Sequence, residues 1–116
     1  MSLFSGQRAF VVQRVTALAL LAYVAASALR LAFGPPLSFA HWQTWSTQPF
    51  GATALLVLAV ALFLHAWVGI RDVVLDYVHP ATLRLAVLGA AAAGLVALAV
   101  WTLVILTAHA ISHLSL

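Results

Sequence analysis

Imidazole, carboxylate, phenol and guanidinium groups gather in one stretch of an otherwise apolar chain, Leu64-His65-Ala66-Trp67-Val68-Gly69-Ile70-Arg71-Asp72-Val73-Val74-Leu75-Asp76-Tyr77-Val78-His79-Pro80. Both acidic residues of the chain, Asp72 and Asp76, lie in it. A neutral imidazole offers an electron pair to a metal, a carboxylate can relay a proton, and a phenol can donate a hydrogen bond to a carbonyl. On a helix turning about 100° per residue, His65, Gly69, Asp72 and Asp76 return close to one direction. One face therefore carries an imidazole, a gap beside it, and two carboxylates further on. Tyr77 stands roughly 18 Å from His65 along the axis, at about 1.5 Å per residue. The stretch reads as two sites on one helix: a buried ligand position at His65, and a polar position near a membrane surface at Asp76 and Tyr77.

The elements that hold these residues are set by composition. The chain has 116 residues, 66% of them hydrophobic and only 6% charged, with no lysine or cysteine. A soluble domain of this size needs far more charge to cover its surface, so the bilayer must be the solvent. The missing cysteines exclude disulfides, iron–sulfur clusters and thiolate sites. The net charge of +3 is too scattered for a nucleic-acid stripe. Crossing about 30 Å of hydrocarbon takes roughly 20 apolar residues, and the stretches 10–33, 50–78 and 83–110 are long enough. The expected fold is a single all-α membrane domain of three transmembrane helices spanning residues 1–116.

Arginine placement predicts the orientation. Arg8, Arg14, Arg71 and Arg84 lie at the start of the first span and around the second turn, against Arg30 alone near the first turn. The positive-inside tendency then puts the N-terminus in the cytoplasm and the C-terminus in the periplasm. Arg8, Arg14 and Ala26-Ser27-Ala28 resemble a signal peptide with its cleavage site, but the apolar run continues past that site, so the segment is read as a retained span. Ser5 to Arg8 reads as the start of its helix.

Each polar residue near a span has a plain reading beside its chemical one. Arg14 can snorkel to the headgroups or turn inward to an anionic group such as a carboxylate or propionate. Thr16, Tyr23 and Ser27 share a face that should pack against protein rather than lipid. Gly34-Pro35-Pro36 ends the first helix, and the loop after it, with Trp42 and Trp45, fits a short amphipathic turn in the interfacial belt, His41 being solvated there. His65 near mid-bilayer needs a partner: a backbone carbonyl, a neighbouring helix, or a metal, imidazole being a common axial ligand of haem iron. Gly69, one turn on, would leave room for a flat macrocycle. A second ligand cannot come from His109, which lies roughly 20 Å beyond the depth of His65 when counted along antiparallel helices; it would have to come from another polypeptide. Arg71, Asp72, Asp76, Tyr77, His79 and Arg84 read either as a surface cluster in which arginines neutralise aspartates, or as a quinone headgroup site. Ala86, Ala90 and Gly94 are in small-xxx-small register for close helix packing. His109 and His113 have metal-binding spacing but lack a third ligand.

His65-Ala66-Trp67-Val68-Gly69, then Asp76-Tyr77-Val78, Pro80 and Leu83-Arg84-Leu85, together with Arg14-Val15-Thr16-Ala17-Leu18 in the first span, closely resemble the hydrophobic membrane anchor of bacterial succinate dehydrogenase, the one that pairs with its cytochrome b subunit. The resemblance covers all three spans and is most specific in the second. It implies that His65 is one axial ligand of a haem b shared with the partner cytochrome b subunit. It implies too that Arg14 lies near the haem propionates, and that Tyr77 hydrogen-bonds ubiquinone with support from Asp76. It further implies docking of the flavoprotein and iron–sulfur subunits on the cytoplasmic face of the bacterial inner membrane. The His-bearing C-terminal end and the Pro-Pro, Trp-rich outer loop depart from the family pattern.

The expected function is therefore a membrane anchor passing electrons from succinate oxidation to ubiquinone, with no succinate-oxidising chemistry in the chain itself. The alternatives are a small transporter, which would need a carboxylate well inside a first span that has none, or a haem-free structural anchor of a respiratory complex.

Overall fold

The computed structural model describes residues 6–114 and, for residues 113 and 114, the backbone alone. Four helices follow one another: α1 (Gly6–Phe33), α2 (Phe39–Thr47), α3 (Pro49–Tyr77) and α4 (Ala81–Leu114). Three of them, α1, α3 and α4, are long and apolar enough to cross a membrane. The all-helical, three-span expectation holds, and the loop expected to carry an amphipathic turn folds as α2. Helix α1 begins before Phe10 and α4 continues past Ala110, because an apolar run marks the hydrocarbon and not the end of backbone hydrogen bonding. Ser5, expected at the first helix start, lies outside the described residues.

The breaks follow from local chemistry. Arg30 anchors the end of α1: its guanidinium donates to the Pro35 carbonyl at 2.8 Å and its own carbonyl accepts from Gly34 N–H at 2.9 Å. A Cβ on Gly34 would collide with both groups of Arg30, so the turn requires glycine. Ser38 caps α2, its hydroxyl accepting from His41 N–H at 3.1 Å. Gln48, with φ −71° and ψ 151°, closes α2 and opens α3, and Pro49 takes the first helical turn, where a missing N–H costs nothing. At the other end Val78 is extended, and Pro80 prevents α3 from continuing.

Helix α3 is the centre of the molecule. Helix α1 packs along one side of it and α4 along another, α2 lies across α3 and α4 at one end, and among the described residues α1 and α4 do not touch. The result is an open layer measuring 53 × 32 × 21 Å. Interior is scarce: Ala9, Ala61, Val68 and Val74 are the buried hydrophobic residues, with Thr16 and Ser46 the buried polar ones. The accessible surface is 8408 Å², against roughly 6100 Å² for a soluble monomer of this mass. The excess is apolar and belongs to lipid or to other subunits.

Candidate functional site

His65 lies in the middle of α3, half-buried against α1. Its Nδ1 stands 3.1 Å from the hydroxyl of Thr16, which is one of the two buried polar residues. The Thr16 hydroxyl also lies 2.7 Å from the Val12 carbonyl and 3.2 Å from that of Gln13. This contact is the partner that a mid-span imidazole requires. In a membrane such an interhelical bond contributes about 0.6–2 kcal/mol. Among the described residues His65 makes no other hydrogen bond, and Nε2 is not among the fully buried unsatisfied atoms. Of the expected stripe, Thr16 is buried and Tyr23 half-buried, but Ser27 is exposed, because α1 meets α3 and not α4.

One turn toward the start of α1, Gln13 faces Gly69. A Cβ on Gly69 would meet the Gln13 side-chain nitrogen at 3.8 Å, an ordinary contact. Among the described residues nothing obliges residue 69 to be glycine. The Gln13 Oε1 is buried without a hydrogen-bond partner. Gln13 also lines an open cavity of about 480 Å³ between α1 and α3, together with Phe10, Arg14, Ala17, Arg71 and Asp72. Arg14 is exposed, its guanidinium 4.9 Å above the Phe10 ring, with no carboxylate partner among the described residues.

At the α3–α4 turn the polar residues separate. Arg71 pairs with Asp72 at 3.1 Å, a partly exposed contact of small energetic weight. Arg84, which one reading of the cluster sets among the arginines neutralising the aspartates, donates to the Val78 carbonyl at 3.0 Å and the Leu75 carbonyl at 3.4 Å. It satisfies the carbonyl end of α3, where the helix dipole favours a cation. Asp76 is exposed and has no ion pair among the described residues. Tyr77, the last residue of α3, is 77% exposed. Both side chains are free to meet a molecule outside this chain, and the structure brings neither of them to His65.

At the opposite end His109 of α4 joins α2. Its Nε2 is 3.0 Å from the Ser46 hydroxyl, and its ring lies 5.7 Å from that of Trp42. Gly51 allows α2 to fold back on α3, since a Cβ there would collide with the Trp45 carbonyl. The side chain of His113, weighed with His109 as a metal pair, lies outside the described residues. His41, expected in solvent, is exposed. The sequence reading missed three features: the Thr16 partner of His65, the buried Gln13 amide, and the Ser46–His109 contact. Each depends on a mutual register of helices that no local pattern encodes.

Three apolar helices, with a histidine inside the middle one and an exposed phenol and carboxylate at its end, define a multi-pass membrane protein. The profile of the succinate dehydrogenase/fumarate reductase transmembrane subunit family matches residues 4–106. The chain belongs to that family.

Proposed function

We propose that this chain is the hydrophobic membrane anchor of a bacterial succinate:ubiquinone oxidoreductase, lying in the inner membrane with its N-terminus in the cytoplasm beside a separate cytochrome b subunit. His65 supplies one axial ligand of a haem b whose other ligand comes from that cytochrome b partner. The single observation that carries this reading is the mid-span imidazole with one nitrogen engaged by Thr16 and the other without a hydrogen-bond partner among the described residues. That donor set fits an axial histidine, whose remaining nitrogen is ordinarily held by a hydrogen bond. A bound haem b would supply one-electron transfer near mid-membrane.

The chain's own residues do the rest. Arg14, which pairs with no carboxylate among the described residues, offers its charge to a propionate. Gly69 leaves space beside the ligand, met among the described residues only by Gln13 at 3.8 Å. Tyr77 donates a hydrogen bond to a ubiquinone carbonyl, and Asp76 helps deliver protons as the quinone is reduced. The flavoprotein and iron–sulfur subunits dock on the face bearing Arg71, Asp76 and Arg84, and this chain oxidises no succinate itself. The test is the reduced-minus-oxidised spectrum of the purified complex. We expect a b-type haem signal in the wild type and its loss in His65→Ala. An unchanged signal in the variant removes the ligand assignment and leaves an anchoring role.

A further inference from the structure

The Thr16 hydroxyl has one proton and three neighbours: the Val12 carbonyl at 2.7 Å, the Gln13 carbonyl at 3.2 Å and His65 Nδ1 at 3.1 Å. Carbonyls only accept, so a proton given to the nearest of them leaves an oxygen lone pair to face Nδ1. Two lone pairs cannot share that contact. Nδ1 must then carry the imidazole proton, and 3.1 Å suits an N–H···O bond. The same proton cannot also sit on Nε2 of a neutral ring, so Nε2 presents an electron pair. In an apolar span with no water, an unpartnered acceptor costs free energy, and a Lewis-acidic metal removes that cost.

We propose that Thr16 is a positioning residue that fixes the tautomer and ring orientation of His65, so that Nε2 is held ready for iron before any metal binds. The inference rests on the haem reading above but adds a residue and a direction. By accepting from Nδ1–H, Thr16 increases the electron donation of the imidazole, which favours ferric over ferrous iron. The bond back to Val12 is part of the device: it consumes the hydroxyl proton that would otherwise permit the other tautomer. The contact is specific to α1, since no α4 residue reaches His65 by a hydrogen bond in the described structure.

The experiment is a potentiometric titration of the haem in the purified complex with Thr16→Val and Thr16→Ser. Thr16→Val keeps the shape and removes the acceptor. It should shift the ferric-to-ferrous binding ratio by about tenfold toward the ferrous form, a rise of about 59 mV for a one-electron couple. Thr16→Ser should return most of that shift. A midpoint unchanged in Thr16→Val, or one moved equally by both substitutions, overturns the proposal. Should Thr16→Val fail to assemble, the wild-type complex purified without haem from haem-deficient cells and labelled with ¹⁵N-histidine decides the matter by magnetic resonance, because bound iron would by itself force the proton onto Nδ1; the His65 signal is assigned by its loss in His65→Gln. A proton on Nδ1 upholds the assignment and a proton on Nε2 overturns it. A complex without b-type haem from cells that make haem would defeat the parent reading, yet the nitrogen spectrum would still report on Thr16.

Discussion

Two histidines in this chain each meet a helix-borne hydroxyl at nearly the same distance, His65 with Thr16 at 3.1 Å and His109 with Ser46 at 3.0 Å. Both hydroxyls also lie against a carbonyl of their own helix, Thr16 against Val12 and Ser46 against Gln43. The local chemistry is alike, but the surroundings are not. His109 lies at the end of the layer among Trp42, Ser46 and the short helix α2, where the bond serves to hold α2 against α4. His65 lies near the middle of a 29-residue apolar helix, where no water can serve its second nitrogen. If His65 holds iron as proposed, the same hydrogen bond is a latch in one place and an orienting device in the other. What decides between them is the solvent at the ring's far side.

That contrast can be broken most sharply by removing each imidazole. His65→Ala should abolish the b-type haem signal of the complex, whereas His109→Ala should leave it in place, both read by difference spectroscopy at equal amounts of assembled protein. Loss in both variants would mean that assembly, and not ligation, was being measured. Next in size is Tyr77→Phe. Succinate-driven quinone reduction should fall by about tenfold or more, the upper end of what one hydrogen bond to a polar group supplies, while reduction of a soluble artificial acceptor stays near normal. Equal loss of both activities would place Tyr77 in assembly.

Smaller effects sharpen the comparison. Ser46→Ala should loosen α2 by about 1 kcal/mol, seen as faster protease cleavage near Gln48, with the haem spectrum unaltered. Any spectral change would show that the two histidines are coupled. Gly69→Ala meets nothing closer than 3.8 Å within the chain, so on helix propensity alone it gains up to about 1 kcal/mol. A thermal melt of the complex should reflect that gain only if no macrocycle fills the gap. A fall in haem content in a fully assembled complex would instead locate the porphyrin edge beside residue 69.

The spans were legible because the bilayer makes so few demands: enough apolar residues in a row, broken by Gly34-Pro35-Pro36 and Pro80. His65 was legible because an imidazole at that depth is costly without a partner. The identity of the partner was not, since Thr16 and His65 are 49 residues apart and meet only through the register of α1 on α3. Nor did the sequence disclose that Arg84 turns back to the last carbonyls of α3. A surface cluster of arginines and aspartates is one of the two readings that charge allows there, but the Val78-to-Ala81 turn brings carbonyl oxygens within reach of Arg84. Periodicity puts Ser27 on a face expected to meet protein, and within this chain it is exposed because, among the described residues, α1 packs on α3 alone. Bare faces of this kind are expected of one polypeptide taken out of a larger assembly, and helical period cannot distinguish a face that meets its own chain from one that waits for another.

A density map of the assembled complex tests the ligation of His65 Nε2 most directly. The account predicts continuous density between His65 Nε2 and a porphyrin iron, with Thr16 against Nδ1 on the other side of the ring. A haem ligated wholly by other residues, or lipid packed against the ring of His65, would contradict it.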